Sequence, residues 1–309
     1  MKPLDFLIIG AQKCATTTLF ELLRQHPDIR MPLEKEVPFF TAPVVDAQGW
    51  REFARAQFGT SEGKLWGKAT PQYMCDPEAA SRIATLMPSV KLIAILRDPA
   101  QRTWSHYQMD RRRNTEQREF SEVLDGLLDS ATLERSRSLP VPDHGEGYEP
   151  ESEFYVAWSE YGRILQRYRA HFPAEQLLVI YTEDLQSAPR ETLDRVLSFI
   201  GLPQGFEPRG LGEVVHRGGS RSRIPHGVRV WLRRQRMVAA LWERMPDPLR
   251  GRWRFLYERW NVRAGPAQGE ADALAANLER LRAHYARDLA LLDELPLPAP
   301  PWRQSYGAG

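Results

Sequence analysis

The strongest constraint on the fold lies in the first twenty residues, where an apolar run turns abruptly into a helical pattern. Residues 6–9 read Phe-Leu-Ile-Ile, which is typical of a strand buried on both faces of a parallel sheet. The chain turns at Gly10, leucines then recur at helical spacing over residues 19–23, and Thr16 or Thr17 can cap the first turn. Such a strand, turn and helix N-terminus form an anion site, because unpaired N–H groups and the helix dipole point at one place.

A phosphate is the ligand that this first turn favours, because Lys13 adds a positive charge and the threonines add hydroxyl donors. The spacing differs from the nucleoside-triphosphate loop G-x-x-x-x-G-K-[ST], since Thr16 stands six positions after Gly10 and the lysine comes too early. No Lys-Ser/Thr pair follows to hold Mg²⁺. The alternative is an ordinary strand–helix turn with a surface lysine.

A second strand-to-helix junction carries an arginine. Residues 90–96 read Val-Lys-Leu-Ile-Ala-Ile-Leu and lead into Arg97, Asp98 and Pro99, with Ser105 two turns into the following helix. Ligands of open α/β sheets bind at the carboxyl ends of strands, and the guanidinium fork grips phosphate with two hydrogen bonds. The alternative is an Arg–Asp pair that only shapes the turn.

Both junctions resemble motifs of sulfotransferases that use 3′-phosphoadenosine 5′-phosphosulfate (PAPS), in particular the heparan-sulfate-type and bacterial carbohydrate-type enzymes. Gly-Ala-Gln-Lys-Cys-Ala-Thr-Thr-Thr-Leu at 10–19 is similar to the 5′-phosphosulfate loop, and Arg-Asp-Pro-x-x-Arg-x-x-Ser-x-Tyr at 97–107 to the 3′-phosphate motif. The resemblance implies an α/β fold with a P-loop-like central parallel sheet flanked by helices. The cofactor-binding residues that it implies are Lys13, Cys14, Ala15, Thr16, Thr17, Thr18, Arg97 and Ser105, with Arg217 and Gly218 in a Gly-rich basic loop.

Ala15 departs from the family loop, which usually carries glycine there. We expect the exchange to be mild if this position has a negative φ.

The resemblance also implies a general base, Glu36, in the segment Glu-Lys-Glu-Val-Pro-Phe-Phe at 34–40. Some relatives carry histidine two residues after this glutamate, where this chain has Pro38. From the residues alone, a solvated turn ahead of a buried Phe pair is the alternative. His26 and His106 compete for the role of base, although we expect His106 to be mainly structural.

Lys68 lies in Leu-Trp-Gly-Lys-Ala-Thr-Pro-Gln-Tyr at 65–73, which is similar to a family segment beside the sulfuryl group. Relatives often carry lysine immediately before Thr-Pro, where this chain has Ala69. Because a shift of one residue on a strand moves a side chain to the opposite face, Lys68 is either a catalytic cation or a surface lysine.

The reaction implied is transfer of a sulfuryl group from PAPS to a hydroxyl, or less favourably an amine, of a sugar, glycolipid or natural product. Lys13 would stabilise the leaving phosphate, Glu36 would take the acceptor proton, and no metal is expected. The alternatives are a P-loop small-molecule kinase, which predicts a triphosphate loop and a strand-terminal Asp for Mg²⁺, and a non-catalytic basic module that associates with nucleotides or membranes.

The composition and the positions of Pro- and Gly-rich stretches predict one domain over 1–309. Within it we expect a specificity insertion at 110–150 and a basic helical lid or subdomain at 220–265. Between Arg217 and Arg263 thirteen arginines stand against three acids, which indicates either a wet helix face or peripheral contact with an anionic membrane. No nucleic-acid-binding pattern is present. Helix, strand and helix are predicted over 154–202, and a last helix over 271–292.

The remaining features concern location. Two cysteines in 309 residues favour a reducing compartment. No apolar run approaches the ~18 residues of a membrane helix, and the first strand starts too early for a secretory signal to precede it. We therefore expect a cytoplasmic, bacterial enzyme.

Overall fold

A five-stranded, all-parallel sheet in the order β2–β3–β1–β4–β5 organises the structure. The computed structural model describes residues 2–32, 35–59, 63–113, 115–142, 151–212 and 268–307. The strands are β1 (Phe6–Gly10), β2 (Ile29–Arg30), β3 (Leu65–Ala69), β4 (Lys91–Leu96) and β5 (Leu177–Tyr181). This confirms the predicted fold class.

Helices connect and cover the strands on both faces. In chain order the described helices are α1 (Thr16–Leu23), α2 (Ala47–Phe58), α3 (Ala79–Leu86), α4 (Pro99–Arg113), α5 (Phe120–Leu127), α6 (Ser130–Ser138), α7 (Tyr161–Arg169), α8 (Thr182–Ser187), α9 (Pro189–Ile200) and α10 (Gln268–Asp293). Short 3₁₀ turns occupy Pro71–Met74, Ala157–Ser159, Ala174–Gln176 and Arg303–Tyr306.

The three central strands are buried on both faces, as their apolar runs predict. All five residues of β1 are buried, and its neighbours are β3 on one side and β4 on the other. Phe6 lies opposite Gly67, where an added Cβ would stand 2.0 Å from the Phe6 ring. Close packing of a ring on bare backbone therefore requires glycine at 67.

Helix α10 docks against α7 and supplies its N-terminal cap. The Asp288 carboxylate accepts hydrogen bonds from the backbone N–H groups of Gly162 (2.8 Å) and Arg163 (2.9 Å). Burial raises the pKa of Asp288 to about 6. A residue far along the chain thus satisfies donors that α7 leaves unpaired.

One expectation from the sequence, the cap of α1, needs correction. The N-cap of α1 is Ala15 in the left-handed conformation, with no side-chain cap from Thr16 or Thr17. Within the segment predicted to be a specificity insertion, residues 110–113 belong to α4, and α5 and α6 follow. Apolar residues at helical spacing explain α5; they are Phe120, Val123, Leu124 and Leu127, all buried.

No helix of the described ranges combines the length and the apolar character needed to cross a bilayer. The predicted basic subdomain at 220–265 lies outside the described residues.

Candidate active site

The turn between β1 and α1 forms the first wall of the site. It has two residues with positive φ, Lys13 (71°) and Ala15 (61°). Gly10 is needed because an added Cβ would lie 2.5 Å from the Cβ of Met74. Ala15 occupies the backbone region that glycine prefers, so the condition for a mild exchange, a negative φ, is not met. Alanine is strained at this φ, at a cost of roughly 1 kcal/mol.

The cysteine of this loop contributes packing. Cys14 is fully buried, and its Sγ lies 3.6 Å from the Tyr161 hydroxyl. Its backbone N–H already donates to the Ala11 carbonyl (3.2 Å). Burial raises the pKa of the thiol to about 11. The predicted role of Cys14 as a phosphosulfate donor therefore competes with a bond inside the loop.

Lys13 stands in a strongly positive environment. Its Nζ lies 3.8 Å from the Met109 Sδ on α4. Burial, followed by the charges of Arg112 and Arg113, lowers the pKa of Lys13 to about 7. An anion bound here would relieve both effects, because it would favour the charged amine and offset the neighbouring cations.

Arg97 and Ser105 lie on the adjoining wall, at and beyond the carboxyl end of β4. Both side chains are half-buried, and neither makes a hydrogen bond to another described residue. The Asp98 carboxylate instead caps α4, accepting from the Gln101 N–H at 2.8 Å. The structure thus gives no support to an Arg–Asp turn pair and leaves the Arg97 fork available to a ligand.

Glu36 projects from the loop between β2 and α2. Its backbone N–H donates to the carbonyl of Ala69, the last residue of β3 (3.1 Å), and its own φ is 69°. The carboxylate is 42% exposed and pairs with the neighbouring Lys35 ammonium. A solvent-accessible carboxylate is thus tied to the carboxyl end of a central strand, where a base can meet an acceptor.

Lys68 is not a surface residue. It is fully buried, and its Nζ donates to the Val37 carbonyl (2.6 Å) and to the Thr70 hydroxyl. Burial lowers the pKa of Lys68 to about 7, against the opposing charge of Glu36. The prediction of a surface lysine is wrong because both faces of a central parallel strand are covered. The face of β3 that carries Lys68 is therefore buried as well. Lys68 anchors the loop that carries Glu36.

The two competing histidines are held by internal contacts. His26 accepts from the Asp28 N–H at its Nδ1 (3.1 Å) and packs on the Phe206 ring. His106 is fully buried and lies between Arg102 and Glu151, at 2.7 Å and 2.6 Å respectively. Burial lowers the pKa of both imidazoles. Of these three side chains, Glu36 is the exposed one, and His26 and His106 are buried.

Arg217 and Gly218 lie outside the described residues, and their predicted role stays a prediction. Two buried polar residues beneath the loop were not predicted from the sequence: Gln12 and Glu151, which contact each other across 139 residues. Gln12 lies in the recognised loop motif, but no local pattern points to Glu151.

The fold and these two walls define a class: parallel α/β proteins that bind a phosphate between the first strand–helix turn and the neighbouring strand end. Comparison with known proteins identifies the family within this class. The family model described as "Sulfotransferase domain" matches residues 3–215, so the chain belongs to the sulfotransferase domain family, as its motifs predict.

Curated relatives include human heparan sulfate glucosamine 3-O-sulfotransferase 3B1, 31% identical over 63% of this chain and 45% of that protein. Mouse bifunctional heparan sulfate N-deacetylase/N-sulfotransferase 4 is 30% identical over 64% of this chain and 22% of that protein. The chain thus spans about half, or less, of the length of these relatives. A sulfotransferase structure from Alicyclobacillus acidocaldarius shares the fold, with a TM-score of 0.64, 24% identity and coverage of 98% of this chain and 100% of that chain.

Proposed function

We propose that this protein transfers a sulfuryl group from PAPS to a hydroxyl of a carbohydrate-type acceptor and releases adenosine 3′,5′-bisphosphate. One observation carries the proposal: Lys13 and Arg97 follow two hydrogen-bonded parallel strands, β1 and β4, so that two phosphate-binding elements stand side by side. Family membership supports sulfuryl transfer, and a nucleotide with phosphates at both 3′ and 5′ is the ligand that two such elements would hold.

The residues fit this co-substrate. The half-buried hydroxyls of Thr17 and Thr18 stand in the first turn of α1 and can donate to the 5′-phosphosulfate. The Arg97 fork and the Ser105 hydroxyl, which hydrogen-bond to no described residue, can hold the 3′-phosphate. That second contact would distinguish PAPS from ATP.

The chemical step needs a base, a charge stabiliser and alignment. The acceptor oxygen attacks sulfur as its proton passes to Glu36, and the bond between sulfur and the phosphate oxygen breaks. Lys13 stabilises the negative charge that develops on that leaving oxygen. Positioning and preorganised charge supply most of the rate in such in-line displacements.

The first test is calorimetric titration of the protein with adenosine 3′,5′-bisphosphate, ATP and AMP. We expect the bisphosphate to bind most tightly, and Arg97→Ala to weaken it about 10-fold or more, because a charge-assisted phosphate contact is lost. Arg24→Ala, which removes an exposed arginine of the α1 C-terminus paired with Glu21, serves as control. Preference for ATP would overturn the proposal in favour of a kinase.

A second test separates catalysis from binding. Glu36→Gln should retain bisphosphate affinity and lose roughly 10²–10⁴-fold in turnover, the usual contribution of a general base. Turnover is measured as transfer of labelled sulfate from PAPS to a panel of amino-sugar and neutral-sugar acceptors. The control is Glu52→Gln, an exposed carboxylate on α2. Equal turnover of Glu36→Gln and wild type would exclude Glu36 as the base, and binding without turnover in wild type would favour the non-catalytic module.

The sugar acceptor is supported by relatives whose names state action on heparan sulfate. Cytoplasmic location and a bacterial source remain part of the proposal. Two buried, unbridged cysteines among the described residues support a reducing compartment.

A further inference from the structure

Gln12, which directly precedes Lys13, ties the phosphate loop to the protein interior through its side chain. Its side-chain amide donates to both oxygens of the Glu151 carboxylate, at 3.1 Å and 2.9 Å. Gln12 is 9% exposed and Glu151 fully buried. These are charge-assisted bonds in a water-poor environment, where hydrogen bonds hold geometry most firmly.

Arg102 of α4 holds the same residue from the other side. Its Nε donates to the Gln12 backbone carbonyl (3.1 Å), and its Nη2 lies 3.4 Å from the Gln12 side-chain oxygen. Its Nη1 is committed to the Tyr155 carbonyl and the Ser159 hydroxyl. The guanidinium is therefore locked on several sides, with its fork aimed at the loop.

His106 connects the two halves of this arrangement. Because Arg102 has only donors, the His106 Nδ1 accepts from it, and the Nε2–H must donate to Glu151. The imidazole is thus neutral, and one buried positive and one buried negative charge flank it. Asp110 completes a group of three with ligand-type atoms within 4.8 Å. Hydrogen-bond donors already contact all three side chains, including Tyr155 on Asp110, so the group is a closed polar network.

We propose that Glu151 and Arg102, bridged by His106, are positioning residues that hold Gln12 and thereby aim Lys13 and the loop N–H groups at the 5′-phosphosulfate. The inference rests on the proposed function. Backbone in sparsely populated regions persists only where the surroundings hold it, and Lys13 and Ala15 are both in the left-handed region. The contacts of Arg102 and Glu151 with Gln12, here called the clamp, lie immediately before Lys13, the first of these two residues.

The test compares two ligands. Adenosine 3′,5′-bisphosphate uses both phosphate elements, whereas adenosine 3′-phosphate lacks the group that the loop binds. In Glu151→Gln the new amide meets the Gln12 amide donor to donor. We expect affinity for the bisphosphate to fall about tenfold or more, and affinity for the 3′-phosphate to change less than about twofold. Calorimetric titration of the full chain measures both.

Glu116→Gln is the matched control. Glu116 is also a buried carboxylate, 4% exposed, but the partners that it contacts are the neighbouring Gln117 N–H and Arg118. We expect the affinity of Glu116→Gln for both ligands to equal that of the wild type. Equal weakening of both ligands in Glu151→Gln, or unchanged bisphosphate binding, would overturn the clamp.

A second variant keeps the test valid should Glu151→Gln not fold. Gln12→Leu leaves the Arg102–His106–Glu151 chain intact and removes only the side-chain tie to the loop. It should show the same selective loss of bisphosphate affinity, and unchanged affinity would reject the proposal. A wild-type protein that binds no bisphosphate would instead count against the proposed function, whereas wild-type binding with unaffected variants would count against the clamp alone.

Discussion

At the scale of single residues, the site depends on Lys13, whose lowered pKa leaves its amine only partly protonated at neutral pH. Lys13 is identifiable from its place after Gly10, but its environment is not. Arg112 and Arg113 lie beyond the motif in sequence, and α4 brings their charges towards the loop. A lysine with a pKa of about 7 is a partly neutral group in the free protein, so ligand binding and protonation must be linked.

We therefore expect bisphosphate affinity to fall as the pH rises from 7 to 9. The bound phosphate raises the pKa of Lys13 above its free value, so this contribution is fully present below about pH 7 and is lost as the pH rises towards the bound pKa. Calorimetry in buffers of different ionisation enthalpy should show proton uptake. Lys13→Met should remove the slope, and a slope that persists in this variant would assign the titration to another group.

Ala15 shows what a motif does not reveal at this scale. Alanine differs from the family's glycine by one methyl group, and only the observed φ of 61° shows that this residue is strained. The burial of Lys68 is likewise not evident from the motif, because the solvent exposure of each face of β3 depends on the elements that pack over it.

At the scale of elements, helix positions follow from periodicity and helix contacts do not. The predicted helix at 271–292 is α10, and Gly201 ends α9 with a φ of 91°, as expected of a C′ glycine. What the pattern leaves open is the partner: α10 packs on α7 so closely that a Cβ at Gly162 would lie 2.1 Å from the Asp288 carbonyl oxygen.

Gly162→Ala should therefore destabilise the protein by about 1–3 kcal/mol, because the obstacle is backbone and cannot rotate away. Chemical denaturation measures the change. Gly126→Ala is the control: an added Cβ at this glycine of α5 meets nothing within 4 Å, so it should stabilise by about 0.5–1 kcal/mol. Equal stabilities of the two variants would contradict the close α7–α10 contact.

At the scale of the whole molecule, chain order and spatial order diverge. The strand order β2–β3–β1–β4–β5 places the two phosphate elements on neighbouring strands although some 80 residues separate them. The C-terminal segment returns to the same region, where the Tyr306 hydroxyl accepts from the Ala100 N–H near the start of α4 (3.1 Å). The single domain over 1–309 stays a prediction.

The sequence by itself determined the central buried strands, about half of the described helices, the family and the residues of the two phosphate motifs. Those features are local: a strand buried on both faces appears as a continuous apolar run, a buried helix face as a repeat of about 3.6 residues, and a motif is contiguous. Only the tertiary structure decided that Glu151 meets Gln12, that Asp288 caps α7 and that Lys68 lies under the Glu36 loop. Partners of buried polar groups leave no local signal, because the energy that pairs them depends on distance in space and not on separation along the chain.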